Sequence, residues 1–135
     1  MKEMLLNIMN EELSALQELM AALEEQHRLI ANNEIMKLSL LVEKIEECNK
    51  NLAKIEVERR RITNGESMKK IIEDLKDEKL DACYREINKL LQALKLQKDT
   101  NELLIRKGLS FSNQMMNLLK PDRSAKTYNA YGRSK

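Results

Sequence analysis

His27 is the single histidine of the chain, and Cys48 and Cys83 are its two thiols. One histidine and two separated cysteines leave no room for a zinc site of standard spacing. Within the helical patterns below, His27 reads as a ring filling space near a helix end. The cysteines read as small core hydrophobes, with redox sensing the alternative. Glu11-Glu12, Glu24-Glu25 and Glu46-Glu47 are adjacent carboxylates. Acid–base work would require them in an enclosed pocket that drives their pKa values apart. On amphipathic helices they fall on outer faces, where they stay ionised and solvated. Arg59-Arg60-Arg61 could contact phosphate, but Glu56 and Glu58 stand beside it. A basic cluster also suits the negative end of a helix, so a solvated helix end is expected. Gly65, Gly108 and Gly132 lie too far apart to build a phosphate-cradling loop. The residues thus predict no enzyme and no cofactor.

The elements that carry these residues follow from composition and period. Aromatics are 3% of 135 residues, and valine occurs only at positions 42 and 57, so the ingredients of a sheet are missing. Leu, Met, Glu, Lys and Ala dominate instead, as in long helices. Leu6, Met9, Leu13, Leu16, Met20, Leu23, His27 and Ile30 recur at steps of three and four. Leu5, Ile8, Ala15, Leu19, Ala22 and Leu29 widen that stripe beyond what one partner helix covers. Asn32-Asn33 breaks the pattern. A second register runs Leu38, Leu41, Ile45, Cys48, Leu52, Ile55, Arg59 and Ile62, and stops at Asn64-Gly65. Ser67 can cap a short piece with Ile71, Ile72 and Leu75 on one side. The third long register runs from Leu80 to Leu118 and ends before Pro121. The expected fold is all-α: an antiparallel helical hairpin and a long third helix, forming a three-helix, coiled-coil-like bundle. Helices are expected near 3–31, 34–63, 67–76 and 79–119, making one domain over 1–120. Residues 121–135 have no periodicity and read as a flexible tail.

The third helix holds the informative irregularities. Gln97, Asn101 and Gly108 replace leucine in succession along its seam. Buried amides fix helix register at a cost in stability, and a glycine permits a bend or a close approach of another helix. From Leu103 onward, Leu104, Ile105, Leu109, Phe111, Met115, Met116, Leu118 and Leu119 make the helix apolar around much of its circumference. Such a surface marks a binding site or an oligomer contact, and adjacent methionines suit one that adapts to its partner. Charge separates the parts: −5 over 1–34, +2 over 35–64, +1 over 65–119 and +4 from Lys120 onward. Tyr128 and Tyr131 stand in that basic tail without a packing reason, and tyrosine is a frequent interface anchor. No apolar run approaches the ~20 residues of a bilayer span. The N-terminus lacks the apolar stretch and cleavage site of a signal peptide, so a cytoplasmic location with reduced cysteines is expected.

These residues resemble those of the FlgN-type flagellar export chaperones. The resemblance rests on the acidic, leucine-spaced first helix with its break and second helix, and on Arg59-Arg60-Arg61 at that helix's end. More specifically, it rests on Asn101-Glu102-Leu103-Leu104-Ile105 with the amphipathic stretch to Leu119, and on Thr127-Tyr128-Asn129-Ala130-Tyr131-Gly132. The segment 66–79 carries none of it. The resemblance implies a non-enzymatic carrier that binds the terminal helical segments of the hook–filament junction proteins FlgK and FlgL. Such a carrier prevents their premature association and delivers them to the type III flagellar export gate. It implies subunit capture by Asn101, Leu104, Ile105, Leu109, Phe111, Met115, Met116 and Leu118, and contact with the gate's cytoplasmic domain by Tyr128. Two other readings fit the same residues: a structural or adaptor bundle that homodimerises through the late third helix, and a filament-cap chaperone of the same export system. A monomer and a homodimer are both compatible. Five dispersed bases in the tail and no helix-turn-helix argue against nucleic acid.

Overall fold

The structure is a computed structural model that describes the backbone of residues 1–119 and the side chains of residues 1–108. It contains four helices, α1 (Lys2–Ala31), α2 (Ile35–Thr63), α3 (Met68–Leu75) and α4 (Glu78–Leu119), and no strand among the described residues. The flexible tail expected at 121–135 lies outside them. Two compact units divide the chain, Met1–Asn101 and Glu102–Lys135.

Each break has a local cause. At the end of α1, Asn33 takes a left-handed φ of 57° and Glu34 N–H donates to the Leu29 carbonyl at 2.9 Å. That bond satisfies one of the carbonyls a helix end leaves open. The asparagine pair therefore ends α1, while Glu34 occupies the N-cap position of α2 without a side-chain bond. Asn64 (φ 54°) and Gly65 (φ 78°) end α2 in the same way, Gly65 N–H donating to the Arg60 carbonyl at 3.0 Å. Ser67 Oγ accepts from Lys70 N–H at the start of α3. Asp77 Oδ1 accepts from the backbone N–H groups of Lys79 and Leu80 at 2.9 and 3.1 Å, which starts α4.

Within Met1–Asn101 the chain runs up, down and up again. Arg59 of α2 pairs with Glu12 of α1, so the hairpin is antiparallel. Cys83 meets Asn10 and Asn101 meets Leu23, so α4 runs parallel to α1. The wide stripe on α1 serves both partners. Leu5, Met9 and Leu80 are fully enclosed, and Ile71 and Ile72 of α3 join the same cluster with Ile55, Cys83, Ile87 and Leu94. α3 thereby closes the end of the bundle where α2 hands over to α4. The buried residues of α2 are Cys48, Ile55 and Thr63, none of them in its first thirteen residues. Leu38, Leu41 and Ile45, expected in the core, are only half-buried.

Two glycines of the described region have open space around them yet differ in conformation. A Cβ at Gly65 or Gly108 meets nothing within 4 Å, so Gly108 accommodates no close helix neighbour here. Gly65→Ala places a side chain at a positive φ and is expected to lower stability by about 1 kcal/mol. Gly108→Ala lies in a helix and is expected to stabilise α4 by about 1 kcal/mol. Denaturant unfolding followed by far-UV circular dichroism checks the opposite signs.

Candidate partner-binding site

The third-helix intrusions form one polar cluster against α1. Asn101 is 1% exposed, and its Nδ2 donates to the Leu23 carbonyl at 2.8 Å and to Gln26 Oε1 at 2.9 Å. Gln97 Nε2 lies 2.9 Å from Asn101 Oδ1 and 2.8 Å from His27 Nδ1. A backbone carbonyl only accepts, so the nitrogen of the Asn101 amide must face Leu23 and its oxygen must face Gln97. Gln97 then donates both its hydrogens, one to Asn101 and one to His27. The neutral His27 ring must accept at Nδ1 and carry its proton on Nε2. His27 is thus more than filler: it terminates a directed chain of hydrogen bonds that spans α1 and α4.

Other expectations change with burial. Glu12 and Arg59, expected on solvated faces, are 16% and 17% exposed and pair across the hairpin at 3.6 Å. Arg59 occupies a seam position, and a cation there is held by a carboxylate from the facing helix. Glu56 shares the same guanidinium at 3.8 Å. Burial pushes the Glu12 carboxyl above its usual value, the Arg59 charge offsetting part of that shift. The two charges border a cavity of about 100 Å³ walled by Met68, Tyr84 and Leu91. Arg60 and Arg61 are exposed, as expected, and pair with Glu56 and Glu58 on their own helix. The Cys83 thiol donates to Asn10 Oδ1 at 3.5 Å, and burial with the charges of Glu12 and Glu86 raises its pKa. That environment disfavours the thiolate on which redox sensing depends. Among the described residues no group of three or more His, Cys, Asp or Glu is placed to hold a metal.

Beyond Asn101 the helix continues without interruption to Leu119. Leu103 is 45% exposed, Leu104 and Ile105 are half-buried, and Arg106, Lys107 and Gly108 are exposed. Leu109, Phe111, Met115, Met116 and Leu118 lie on the backbone of α4, but their side chains are outside the described residues. Tyr128 lies outside them altogether. Asn101 is enclosed against α1, whereas Leu104 and Ile105 are half-buried. A further set escaped sequence reasoning: Ile35, Met36, Leu40 and Val42, all exposed at the start of α2. Their signal was apolar density on every side of the helix, which a search for a single stripe overlooks.

Met1–Asn101 is a helical bundle, and the helix that ends it, α4, continues to Leu119. The FlgN protein family model matches residues 1–135, and the chain belongs to that family, the flagellar export chaperones. No curated protein and no solved structure matches it. No helix among the described residues is long and apolar enough to cross a membrane.

Three outcomes test the interior chemistry. Asn101→Ala removes the hydrogen bonds to the Leu23 carbonyl, Gln26 and Gln97 and is expected to cost about 2–3 kcal/mol in denaturant unfolding. The ¹⁵N shifts of neutral His27 should show the Nε2–H tautomer, and Gln97→Leu should release that preference. For Glu12 the sign follows from its raised pKa. The folded state binds the proton more tightly than the unfolded chain, so acidification favours folding through this group. Lowering pH from 7 towards the unfolded-chain value of 4.5 should therefore stabilise the parent relative to Glu12→Gln. Paired urea titrations of the two proteins across that window measure the difference.

Proposed function

We propose that this chaperone captures the terminal helical segments of the hook–filament junction proteins FlgK and FlgL on late α4 and delivers them to the export gate. The observation that carries the reading is the run of α4 beyond Asn101. Over residues 103–119 the sequence is apolar at nine positions, and Leu103 is already exposed where the side chains are described. An amphipathic or broadly apolar helix presents such residues at successive turns for helix-in-groove recognition. Leu104, Ile105, Leu109, Phe111, Met115, Met116 and Leu118 are the proposed contacts. Asn101 is enclosed and would serve by ending the body rather than by touching cargo.

Membership of a flagellar export chaperone family supports cargo of that system. Junction-protein termini that are unstructured before assembly would fold on binding. Their ordering entropy weakens the complex and makes it reversible, as a carrier requires. Release then follows partner exchange at the gate. Tyr128, within a tail of net charge +4, is the proposed gate contact. The reading places the chain in the cytoplasm, where cargo waits for export.

Purified chain titrated with a FlgK or FlgL terminal peptide should bind saturably in calorimetry. Phe111→Ala or Met115→Ala should weaken binding about tenfold or more while leaving the circular dichroism melt unchanged. Tyr128→Ala should leave peptide affinity intact and reduce binding to the gate's cytoplasmic domain. A folded protein with no peptide binding defeats the capture reading. Joint loss of both activities on Tyr128→Ala defeats the division into two sites.

A further inference from the structure

α2 opens with eight residues, Ile35 to Val42, of which six are apolar, and the fold fully buries none of them. Ile35 is 65% exposed, Met36 82%, Leu40 71% and Val42 45%. These four do not share a line. At about 100° per residue, Ile35 and Val42 lie on one side and Met36 and Leu40 about a third of a turn away. Leu38 and Leu41, half-buried, occupy the remaining arc. Only Lys37, paired with Glu34, and Ser39 interrupt this apolar surface; it is wider than one stripe, and no other part of Met1–Asn101 encloses it. Immediately after it come Glu43, Glu46 and Glu47, exposed and outside the ion pairs formed among the described residues. Lys44 is the one base among them.

We propose that the first turns of α2 are a ligand helix, taken into an apolar groove of a second protein whose rim is lined with lysine or arginine. The groove walls would cover both exposed lines, and the rim would face Glu43, Glu46 and Glu47. Charge selects this occupant over a second copy of the chain, since Glu43, Glu46 and Glu47 call for a basic rim. A second copy would also present its first helix, with a net charge of −5 over residues 1–34. An anionic bilayer is disfavoured by the same three carboxylates. The surface belongs to α2, so the proposal does not rest on cargo capture by late α4, and a loaded chaperone could use it simultaneously.

Photocrosslinking of the full chain tests it, with p-benzoylphenylalanine at Met36 and, as control, at the exposed Lys54. In flagellated cells, Met36 should join one protein, at a segment of net positive charge, and Lys54 should not. With that protein purified, Glu43→Lys, Glu46→Lys and Glu47→Lys together should weaken its affinity about tenfold. Leu40→Asp should do the same, with unchanged melting because these positions are exposed. Persistence of the adduct in Phe111→Ala separates it from cargo capture. An adduct with a second copy or with lipid, no adduct at all, or an affinity indifferent to charge reversal would overturn the proposal.

Discussion

The arrangement of the body depends on the impossibility of leaving the Asn101 amide unpaired between α1 and α4. Burying an amide without partners costs several times what a satisfied hydrogen bond returns. Its two donors find the Leu23 carbonyl and Gln26 together at one axial position of α4 along α1. A slip by one turn would part Asn101 from Leu23 and Gln26, and Gln97 from His27, at once. Leucine stripes alone tolerate such a slip, because one leucine replaces another at the same spacing. The network thus supplies uniqueness where the apolar contacts supply most of the binding energy. Its polarity is set by the one member that cannot be reversed, the backbone carbonyl.

The second constraint is α1, which has to satisfy two neighbours. Its double stripe packs α2 antiparallel and α4 parallel, and both groups converge on Leu5 and Met9 near its start. α3 completes that end by placing Ile71 and Ile72 beside Leu80. Burial is consequently uneven. The end with α3 is enclosed by four elements, whereas the opening turns of α2 have too few neighbours to cover them. Charge follows the same gradient: Glu12 and Arg59 are held together where packing is dense, and the carboxylates after Val42 stand in solvent.

Much of this was legible from residue type. Asn32-Asn33, Asn64-Gly65 and Ser67 mark their boundaries because left-handed backbone and side-chain capping are local properties, decided within a few residues. The seam positions of Gln97 and Asn101 were also visible as interruptions of a leucine register. Their partners were not, because His27 and Leu23 lie 70 and 78 positions away in sequence and pairing depends on the parallel docking of α4. Glu12 and Arg59 failed for a related reason. Each looks solvated on its own helix, and only the antiparallel register of the hairpin brings them together. For Ile35 to Val42, period identifies which residues are apolar but says nothing about whether a neighbour arrives.

One helix therefore carries two kinds of segment. Up to Asn101, α4 is committed to α1 by apolar burial and by a hydrogen-bond chain with a single solution. From Glu102 the same helix proceeds to Leu119 in a separate compact unit. Within Met1–Asn101 the bonds of Asn101 fix the axial position of α4 along α1. In the proposed capture reading, residues at 104, 111, 115 and 118 keep their mutual register before cargo arrives. Less order is then lost on binding than if the segment had to fold from coil. In that reading the cargo would supply the ordering penalty that keeps the complex releasable. A receptor helix formed before binding and a ligand that folds on it would then combine specificity with reversibility.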